Sequence, residues 1–438
     1  MKRRSTVALS AALLVTLPWI GVRVAGDPNG MDATLTVVLS GVAVLGTSFL
    51  LAWAAETAEK DVPRAFAIAV LAVLAVAPEY AVDALYAWEA GQFAGMERGV
   101  EAGNLAVANM TGANRILIGI GWSGIALFTI LRARSEGDAA VVRKPGFLRD
   151  AIRLDSDLSL EIVFLFLATL WAFLVPVGGG IGVLDMVVLV GLYVAYISVV
   201  LRGGTPSETE PHGVPRSLQS FPRTQRVAIV LGLFLYAGVL LLVAVKPFAH
   251  GLETLGTAAG IPPFFMIQWI APLASESPEL IVVAYLVTKA RSTAGFNALI
   301  SSKLNQWTLL IGTLVIVYSI GLGRYGALPF DTKQAGEIWL TAAQSFFALA
   351  LLVDFEFTIR EALALATLFL SQVFIEFALV RQVLELPISS YQVLLAYAVL
   401  YVVCGTWLLT RQLDSLRDLA DETTAIAIDS GREAIETQ

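Results

Sequence analysis

Two short acidic motifs in otherwise apolar segments are the part of the sequence best suited to chemistry. Glu79 and Asp83 are four residues apart, and Glu276 and Glu279 are three apart, so each pair shares one face of a helix. A carboxylate in the middle of a membrane span costs about 2.5–3.5 kcal/mol on the mild insertion scale, so it is retained where it has a partner or a task. Such carboxylates can supply hard oxygen ligands to Na⁺ or Ca²⁺ or carry a proton.

A proline stands directly before one glutamate of each motif. Pro78 and Pro278 lack a backbone donor and displace the preceding turn, which frees carbonyl groups near positions 74 and 274. Broken backbone of this kind is tolerated at membrane depth only where it is buried in protein or lines a cavity. The motifs therefore predict a polar site inside a helical bundle.

The composition places these motifs in a membrane protein. Of 438 residues, 57% are hydrophobic and 15% are charged, whereas soluble proteins are roughly 45–50% apolar and about 25% charged. The apolar runs are long enough to cross a bilayer, which takes roughly 20 residues. They predict about twelve spans, near 5–25, 33–55, 63–88, 102–131, 158–178, 181–201, 225–246, 261–288, 295–322, 336–353, 361–380 and 388–410. The predicted fold class is an all-α polytopic membrane protein.

Lysine and arginine orient these spans. With the N-terminus in the cytoplasm and twelve alternating spans, 21 of the 29 Lys and Arg fall on the cytoplasmic side and 6 on the outer side. Arg115 and Lys303 lie inside spans. We therefore predict a multi-pass protein of the cell membrane with both termini cytoplasmic, whose first apolar stretch is a retained helix.

The acidic motifs belong to an internal repeat. Residues 77–84 (Ala-Pro-Glu-Tyr-Ala-Val-Asp-Ala) align with residues 277–284 (Ser-Pro-Glu-Leu-Ile-Val-Val-Ala), so that Pro, Glu, Val and Ala coincide. In the next span of each half, Asn114 or Asn305 precedes a glycine by seven residues. Because a repeat of five spans must insert in opposite senses, the pattern predicts inverted topology, with the site at the midplane where the repeats meet.

A Pro- and Gly-rich stretch divides the chain into the two halves. The motif helices are predicted at 63–88 and 102–131 in the first half, and at 261–288 and 295–322 in the second. The predicted segments are an additional N-terminal helix in 1–30, a first repeat in 31–201, a cytoplasmic linker in 202–224, a second repeat in 225–380, an additional helix in 388–410 and a cytoplasmic acidic tail in 411–438.

At the motif residues the sequence resembles the cation/calcium antiporter superfamily, the sodium/calcium exchangers. Members of that family have two inverted five-helix repeats, each with a Ser-Leu-Pro-Glu-like motif followed by a Gly-Asn…Gly-Ser-Asn-like motif. The resemblance covers roughly residues 75–121 and 272–312. It implies that the essential glutamates, which contact the transported cation, fall on Glu79 and Glu279. It also implies that the asparagines of the family fall on Asn114 and Asn305.

The sequence departs from the family pattern at several ligand positions. The ligand serine is Val76 in the first motif and Glu276 in the second, and the Asn or Asp expected one turn after the asparagine is Leu117 or Thr308. Lys303 takes a glycine position of the family. A fixed ammonium group would replace a bound cation or offset Glu276, which favours sodium coupled to protons over calcium.

The predicted ion site combines the acids with neighbouring polar residues, and Pro78 and Pro278 break its helices. The predicted members are Glu79, Asp83, Asn109, Asn114, Glu276, Glu279, Ser301, Ser302, Lys303, Asn305 and Thr308. At any single acid, the alternative interpretation is an ion pair with Arg115 or Lys303 that only staples the bundle. No catalytic residue and no cofactor is predicted; the partners are inorganic cations (Na⁺, Ca²⁺ or H⁺) and the lipid bilayer.

These residues predict a secondary cation antiporter that works by alternating access and exchanges Na⁺ or Ca²⁺ against Na⁺ or H⁺. Calcium extrusion in place of Na⁺/H⁺ exchange is one alternative, and a channel-like or non-transporting membrane protein is another. An enzyme is disfavoured because the sequence has no Gly-x-Gly-Asp, His-Glu-x-x-His or nucleotide-binding motif. The net charge of −7 does not favour nucleic-acid binding, and the oligomeric state is not predicted.

Overall fold

The computed structural model describes residues 3–26, 31–62, 76, 79–80, 82–200, 213–261, 265–383 and 387–436. Helices account for nearly all of this part of the chain. In the first half they are α1 (Arg3–Leu14), α2 (Leu17–Ala25), α3 (Ala33–Ala58), α4 (82–92), α5 (Glu97–Ile116), α6 (Ser123–Glu136), α7 (Ser159–Ala172) and α8 (Val183–Val200). In the second half they are α9 (Gly213–Gln219), α10 (Arg223–Ala258), α11 (Ala271–Thr288), α12 (Ser292–Asn305), α13 (Ile311–Leu322), α14 (Thr332–Leu352), α15 (Ile359–Val380), α16 (Ser390–Arg411) and α17 (Leu413–Glu436).

Eleven helical segments in the described ranges are long and apolar enough to cross a membrane. Each coincides with one of the twelve predicted spans, so the prediction of an all-α polytopic membrane protein is confirmed. The remaining span, 63–88, falls largely outside the described residues, as does the first part of the linker at 202–224. The segments are Arg4–Val24, Ala33–Ala58, Glu97–Ala133, Ser159–Gly178, Val183–Val200, Arg223–Ala258, Met266–Thr288, Ser292–Leu322, Thr332–Leu352, Ile359–Val380 and Ser390–Arg411.

Three π-helical turns interrupt the helices that carry the motifs. Leu117–Trp122 joins α5 to α6, Met266–Ile270 precedes α11, and Gln306–Leu310 joins α12 to α13. A π turn inserts an extra residue into the helical repeat and is often found at functional sites. Two of the three turns begin within three residues of Asn114 or Asn305, so the repeat seen in the sequence is also a repeat in backbone geometry.

The long helices α3 and α10 pack together and bury Val44, Leu51 and Leu241 between themselves and their neighbours. The first predicted span packs against this pair. A Cβ atom on Gly46 would lie 2.6 Å from the side chain of Val15 and 2.8 Å from the carbonyl of Ala12, so only glycine permits this close approach.

A larger core joins α5–α8 to α12–α16. Its largest buried side chains include Trp122, Trp307 and Phe296, which come from both halves of the chain. The predicted acidic tail forms α17, and Leu419 buries its side chain in this core. The two halves are therefore packed into one apolar interior that surrounds the motif helices.

Short strands pair loops from the two halves. In one sheet, β1 (Val141–Val142), β2 (Ala151–Arg153) and β5 (Glu356–Thr358) are antiparallel neighbours, with Ile152 opposite Phe357. In the other, β3 (Gly180–Ile181) pairs with β4 (Leu328–Pro329). The first sheet joins loops that follow the fourth and tenth predicted spans, and the second joins loops that follow the fifth and ninth. This pairing agrees with alternation of twelve spans; which side is cytoplasmic stays a prediction.

Candidate functional site

The four acidic residues of the motifs, Glu79, Asp83, Glu276 and Glu279, lie together in the protein interior and are called the carboxylate cluster below. Their exposed fractions are 1%, 0%, 2% and 4%, respectively. Asp83 lies on α4, Glu79 lies just before it, and the other two lie on α11. The two halves of the chain therefore bring these acids to one buried place in the structure.

Gln306 connects the two halves of the carboxylate cluster. Its Nε2 donates to Glu79 Oε2 at 2.9 Å and to Glu276 Oε1 at 2.7 Å. The carboxyl groups of Glu79 and Glu276 therefore converge on one nitrogen atom. Two carboxylates without a donor of their own can share a proton or a cation at such a place.

Asp83 and Glu279 each receive a hydrogen bond from the second motif helix of their own half. Asn109 Nδ2 donates to Asp83 Oδ1 at 2.9 Å, and Ser302 Oγ donates to Glu279 Oε2 at 2.6 Å. Both donors were predicted as site residues. The two halves are thus alike, because in each of them a short polar side chain on the next helix donates a hydrogen bond to the acid.

Each acid of the cluster also has one buried oxygen that lacks a hydrogen-bond partner among the described residues. These oxygens are Glu79 Oε1, Asp83 Oδ2, Glu276 Oε2 and Glu279 Oε1. A proton or a cation could satisfy them, because a carboxylate oxygen is both a base and a hard metal ligand. In the described ranges no three Asp, Glu, His or Cys side chains are gathered closely enough to hold one metal ion. In this conformation each acid instead accepts a hydrogen bond from a neutral polar side chain.

Lys303 contributes the one positive charge of the described residues that is fully buried beside these acids. Its Nζ donates to Asn114 Oδ1 at 2.7 Å and lies 4.2 Å from the ring centre of Trp307. Burial disfavours its charged form, whereas the neighbouring carboxyl groups of Glu79 and Glu276 favour it. The ammonium group therefore offsets part of the negative charge without forming a direct ion pair.

The two family asparagines take different roles. Asn114 donates to the Met110 carbonyl at 2.8 Å and accepts from Lys303, so both polar atoms of its amide have a partner. Asn305 accepts from the Tyr80 hydroxyl at 2.8 Å. Sequence reasoning missed Tyr80 and Gln306, although each stands directly beside a predicted residue, Glu79 or Asn305.

Two predicted members, Ser301 and Thr308, and the predicted helix breaker Pro278 form no hydrogen bond to the carboxylate cluster in the described part of the chain. Ser301 Oγ lies 3.5 Å from the Tyr196 hydroxyl on α8 and away from the acids. The Thr308 hydroxyl donates to the Leu304 carbonyl of its own helix. Pro278 lies within α11, and Ser277 Oγ donates to the carbonyl of Ala274 at 2.7 Å, which is the carbonyl that the proline frees. Pro78 lies outside the described residues.

A second buried polar group lies behind α5 and is called the Arg115 network below: Arg115, Glu337, Gln372, Glu376 and Lys333. Arg115 forms an ion pair with Glu337, donates to Gln372 and lies 4.6 Å from the ring centre of Trp269. Gln372 in turn donates to Glu376 at 2.9 Å, and Lys333 lies 3.7 Å from the same carboxylate. The partner of Arg115 is therefore Glu337, outside the acidic motifs. Glu376 is fully buried.

The chain is similar in sequence and fold to known proteins. The model of the family described as "Sodium/calcium exchanger protein" matches residues 33–202 and 229–378. A crystal structure of the H⁺/Ca²⁺ exchanger CAX is 41% identical in sequence with a TM-score of 0.81, over 97% of this chain and 98% of that one.

More distant structures share the fold alone. The sodium-calcium exchanger NCX_Mj, soaked with Na⁺ and Sr²⁺, is 16% identical with a TM-score of 0.56, over 78% of this chain and 97% of that one. No curated protein sequence matches the chain. With the family model matching more than half of its residues, the chain belongs to the sodium/calcium exchanger family of membrane cation antiporters.

Proposed function

We propose that this chain exchanges Ca²⁺ against H⁺ at the carboxylate cluster. The observation that carries the proposal is that Gln306 donates to both Glu79 and Glu276, so that acids of the two halves converge on one nitrogen atom. These two carboxyl groups can hold a proton or ligate a cation. Protons and a cation then compete for the same oxygens, which is the requirement for an antiporter that binds either substrate and not both.

The charges of the site support a divalent cargo. Four ionised carboxylates and one ammonium would leave a net charge of −3 in the interior, and uncompensated buried charge is costly. Two protons and one Ca²⁺ neutralise the same amount of charge, so either occupant stabilises the closed bundle. The unpartnered carboxylate oxygens are the donor type that Ca²⁺ prefers.

The comparison with the H⁺/Ca²⁺ exchanger CAX supports the same pair of ions, since the two chains are 41% identical over nearly their full lengths. In such a fold the inverted repeats provide access to the midplane from either side by alternating access. The site opens to one side with protons bound and to the other with Ca²⁺ bound.

Na⁺/H⁺ exchange is the second candidate, and Lys303 is the observation that favours it. A fixed ammonium next to Glu79 and Glu276 already supplies one positive charge. If that charge replaces a bound cation, the remaining site would hold a monovalent ion. The two candidates differ in the ion moved by a pH gradient.

Flux through purified protein in proteoliposomes tests the proposal. With an acidic lumen and no Na⁺ present, we expect ⁴⁵Ca²⁺ uptake together with a rise in luminal pH, and loss of both in Glu279→Gln. Glu97→Gln, at an exposed carboxylate on α5, is the matched control and should transport normally. Uptake of ²²Na⁺ but not ⁴⁵Ca²⁺ under the same gradient would establish the second candidate instead. Ion currents without proton movement would overturn both.

A further inference from the structure

A cavity of about 560 Å³ lies between α2, α3 and α10, where no residue of the carboxylate cluster takes part in its lining. Its polar lining comes from Arg23 on α2, Thr36 on α3, and Lys246, His250 and Thr254 on α10. Residues spaced by four share one face of a helix, so the three α10 residues form a stripe that faces Arg23 across the cavity.

One wall of the cavity is fixed by a hydrogen bond between α2 and α10. Pro247 has no backbone N–H, so the carbonyl of Val243 loses its helical donor. The Trp19 indole on α2 donates to that carbonyl at 3.2 Å, and Trp19 is completely buried. The proline thus creates a docking point for α2 directly beside the basic stripe, so the cavity is bounded by fixed structure.

The opposite wall is set by a close contact between α3 and α10. A Cβ atom on Gly251 would lie 2.7 Å from the Val37 side chain and 3.3 Å from the Ala33 carbonyl. Glycine therefore lets the two helices touch at this point. The space above the contact stays open toward Arg23 and Lys246.

Positive charge dominates the cavity. His250 lies 3.5 Å from Glu253, whereas neither Arg23 nor Lys246 forms an ion pair with another described residue. The Asp32 carboxylate accepts hydrogen bonds from the backbone N–H groups of Thr34 and Leu35, which hold the pKa of Asp32 below its ordinary value of 3.8. That acid caps α3 and does not line the cavity.

The position of the cavity matches a membrane surface. Lys246 lies about 35 Å along α10 from Arg223 at 1.5 Å per residue, and the hydrocarbon core of a bilayer is about 30 Å thick. Arg223 and Lys246 therefore fit opposite interfaces. Leu242, one turn closer to the hydrocarbon, has 45% of its surface exposed and gives the cavity an apolar edge.

We propose that this cavity binds a phosphate group, carried by the headgroup of an anionic phospholipid or present as free phosphate. Arginine matches phosphate oxygens with paired N–H donors, and lysine adds a point charge. A lipid occupant would place its phosphate between Arg23 and Lys246 and its chains along Leu242. It would join the additional first helix to the α3–α10 pair.

Native mass spectrometry of the full chain tests the proposal. The protein is released from nanodiscs of phosphatidylglycerol or phosphatidylcholine, with and without inorganic phosphate. We expect preferential retention of phosphatidylglycerol, reduced about tenfold in Arg23→Gln/Lys246→Gln. Arg98→Gln/Arg324→Gln removes two charges from other loops on the same predicted side and should retain the lipid. Thermal unfolding verifies that each variant is folded.

A second variant tests the cavity itself. Thr254→Trp fills the space while keeping both basic residues, and it should also lose the lipid. Displacement by millimolar inorganic phosphate would identify free phosphate as the occupant, and retention in its presence would identify the lipid. Equal retention of the two lipids, equal loss in the control variant, or full retention in Thr254→Trp would overturn the proposal.

Discussion

The carboxylate cluster and the Arg115 network are both buried in the helical core, yet their charges are organised in opposite ways. The Arg115 network has two cations and two carboxylates, and Arg115 contacts its partner Glu337 directly. The carboxylate cluster has four acids, with Lys303 held on Asn114 and not on an acid. One region is neutral as built, whereas the other has a surplus of negative charge that a bound cation or protons reduce.

This difference separates charges that stabilise the fold from charges that can bind a transported ion. Unpartnered oxygen atoms alone do not make the distinction, because Glu337 Oε1 lacks a hydrogen-bond partner as well. The balance of charge makes the distinction. Removing one partner of a buried ion pair costs stability, whereas binding a cation or a proton reduces a surplus of like charge. Substitutions should therefore cost stability in one region and transport in the other.

The largest effect is expected on breaking the Arg115 network. Arg115→Leu leaves the Glu337 carboxylate buried without its partner, which costs about 3–5 kcal/mol of stability. Thermal unfolding in detergent measures the loss. Arg115→Leu/Glu337→Leu should recover most of it, because removing both charges also removes the desolvation cost. Equal destabilisation in the single and double variants would contradict the interpretation of a structural pair.

Removing one acid of the carboxylate cluster should have the opposite effect: transport should fall and stability should not. Glu279→Gln keeps the shape of the side chain and can still bond to Ser302, while it removes one surplus negative charge. We expect transport to fall at least about a hundredfold, equivalent to roughly 2.7 kcal/mol, with no loss of thermal stability. Flux and unfolding are measured on the same preparation. If Glu279→Gln were as destabilised as Arg115→Leu, the contrast between the regions would collapse.

Substitution of Lys303 is expected to have an intermediate effect, on the affinity for the cation. Lys303→Met removes a fixed positive charge beside Glu79 and Glu276, so the cluster should bind Ca²⁺ about tenfold more tightly, or roughly 1.4 kcal/mol. Titration calorimetry at constant pH measures the dissociation constant. Lys303→Arg retains the charge and serves as the control. Weaker binding in Lys303→Met would show that the ammonium group organises the site instead of opposing the cation.

The smallest effect is expected outside the membrane-spanning segments, at Asp61. Arg226 donates two hydrogen bonds to its carboxylate, at 2.5 Å and 2.6 Å. The hydrogen bond from Arg226 lowers the pKa of Asp61 below its ordinary value of 3.8. The pair therefore stabilises the fold above about pH 4, and this contribution is lost as the pH falls through the lowered pKa. Asp61→Asn should cost about 1 kcal/mol at pH 7. Unfolding curves of both proteins should converge below pH 3; a constant difference would refute this origin.

Much of the architecture follows from local properties of the sequence. An apolar run of sufficient length crosses a membrane whatever its neighbours are, and this accounts for the agreement at eleven spans. Glu79 and Glu279 were found because a carboxylate beside a proline is conspicuous in such a run. Gln306 was not found, because a glutamine in an apolar helix has many ordinary roles.

Neighbouring residues of a helix point in different directions, which explains why only some of the predicted polar residues contact the acids. Ser301 and Ser302 are adjacent, yet Ser302 bonds to Glu279 while Ser301 faces Tyr196. One residue along a helix turns the side chain by about 100°. Which serine faces the acids depends on how α12 is seated against α8 and α11.

The sequence by itself determined the class of the protein and the positions of eleven long apolar helices, and it singled out the acids of the candidate site. These features depend on the free energy of placing single residues and segments in a membrane, which is a local quantity. Only the tertiary structure decided how the charges are shared. Arg115 pairs with Glu337, 222 residues away, and Gln306 joins Glu276 to Glu79, 227 residues away from Gln306. Such partners are chosen by the packing of distant helices, so a sequence shows that a buried charge needs a partner without showing which one it has.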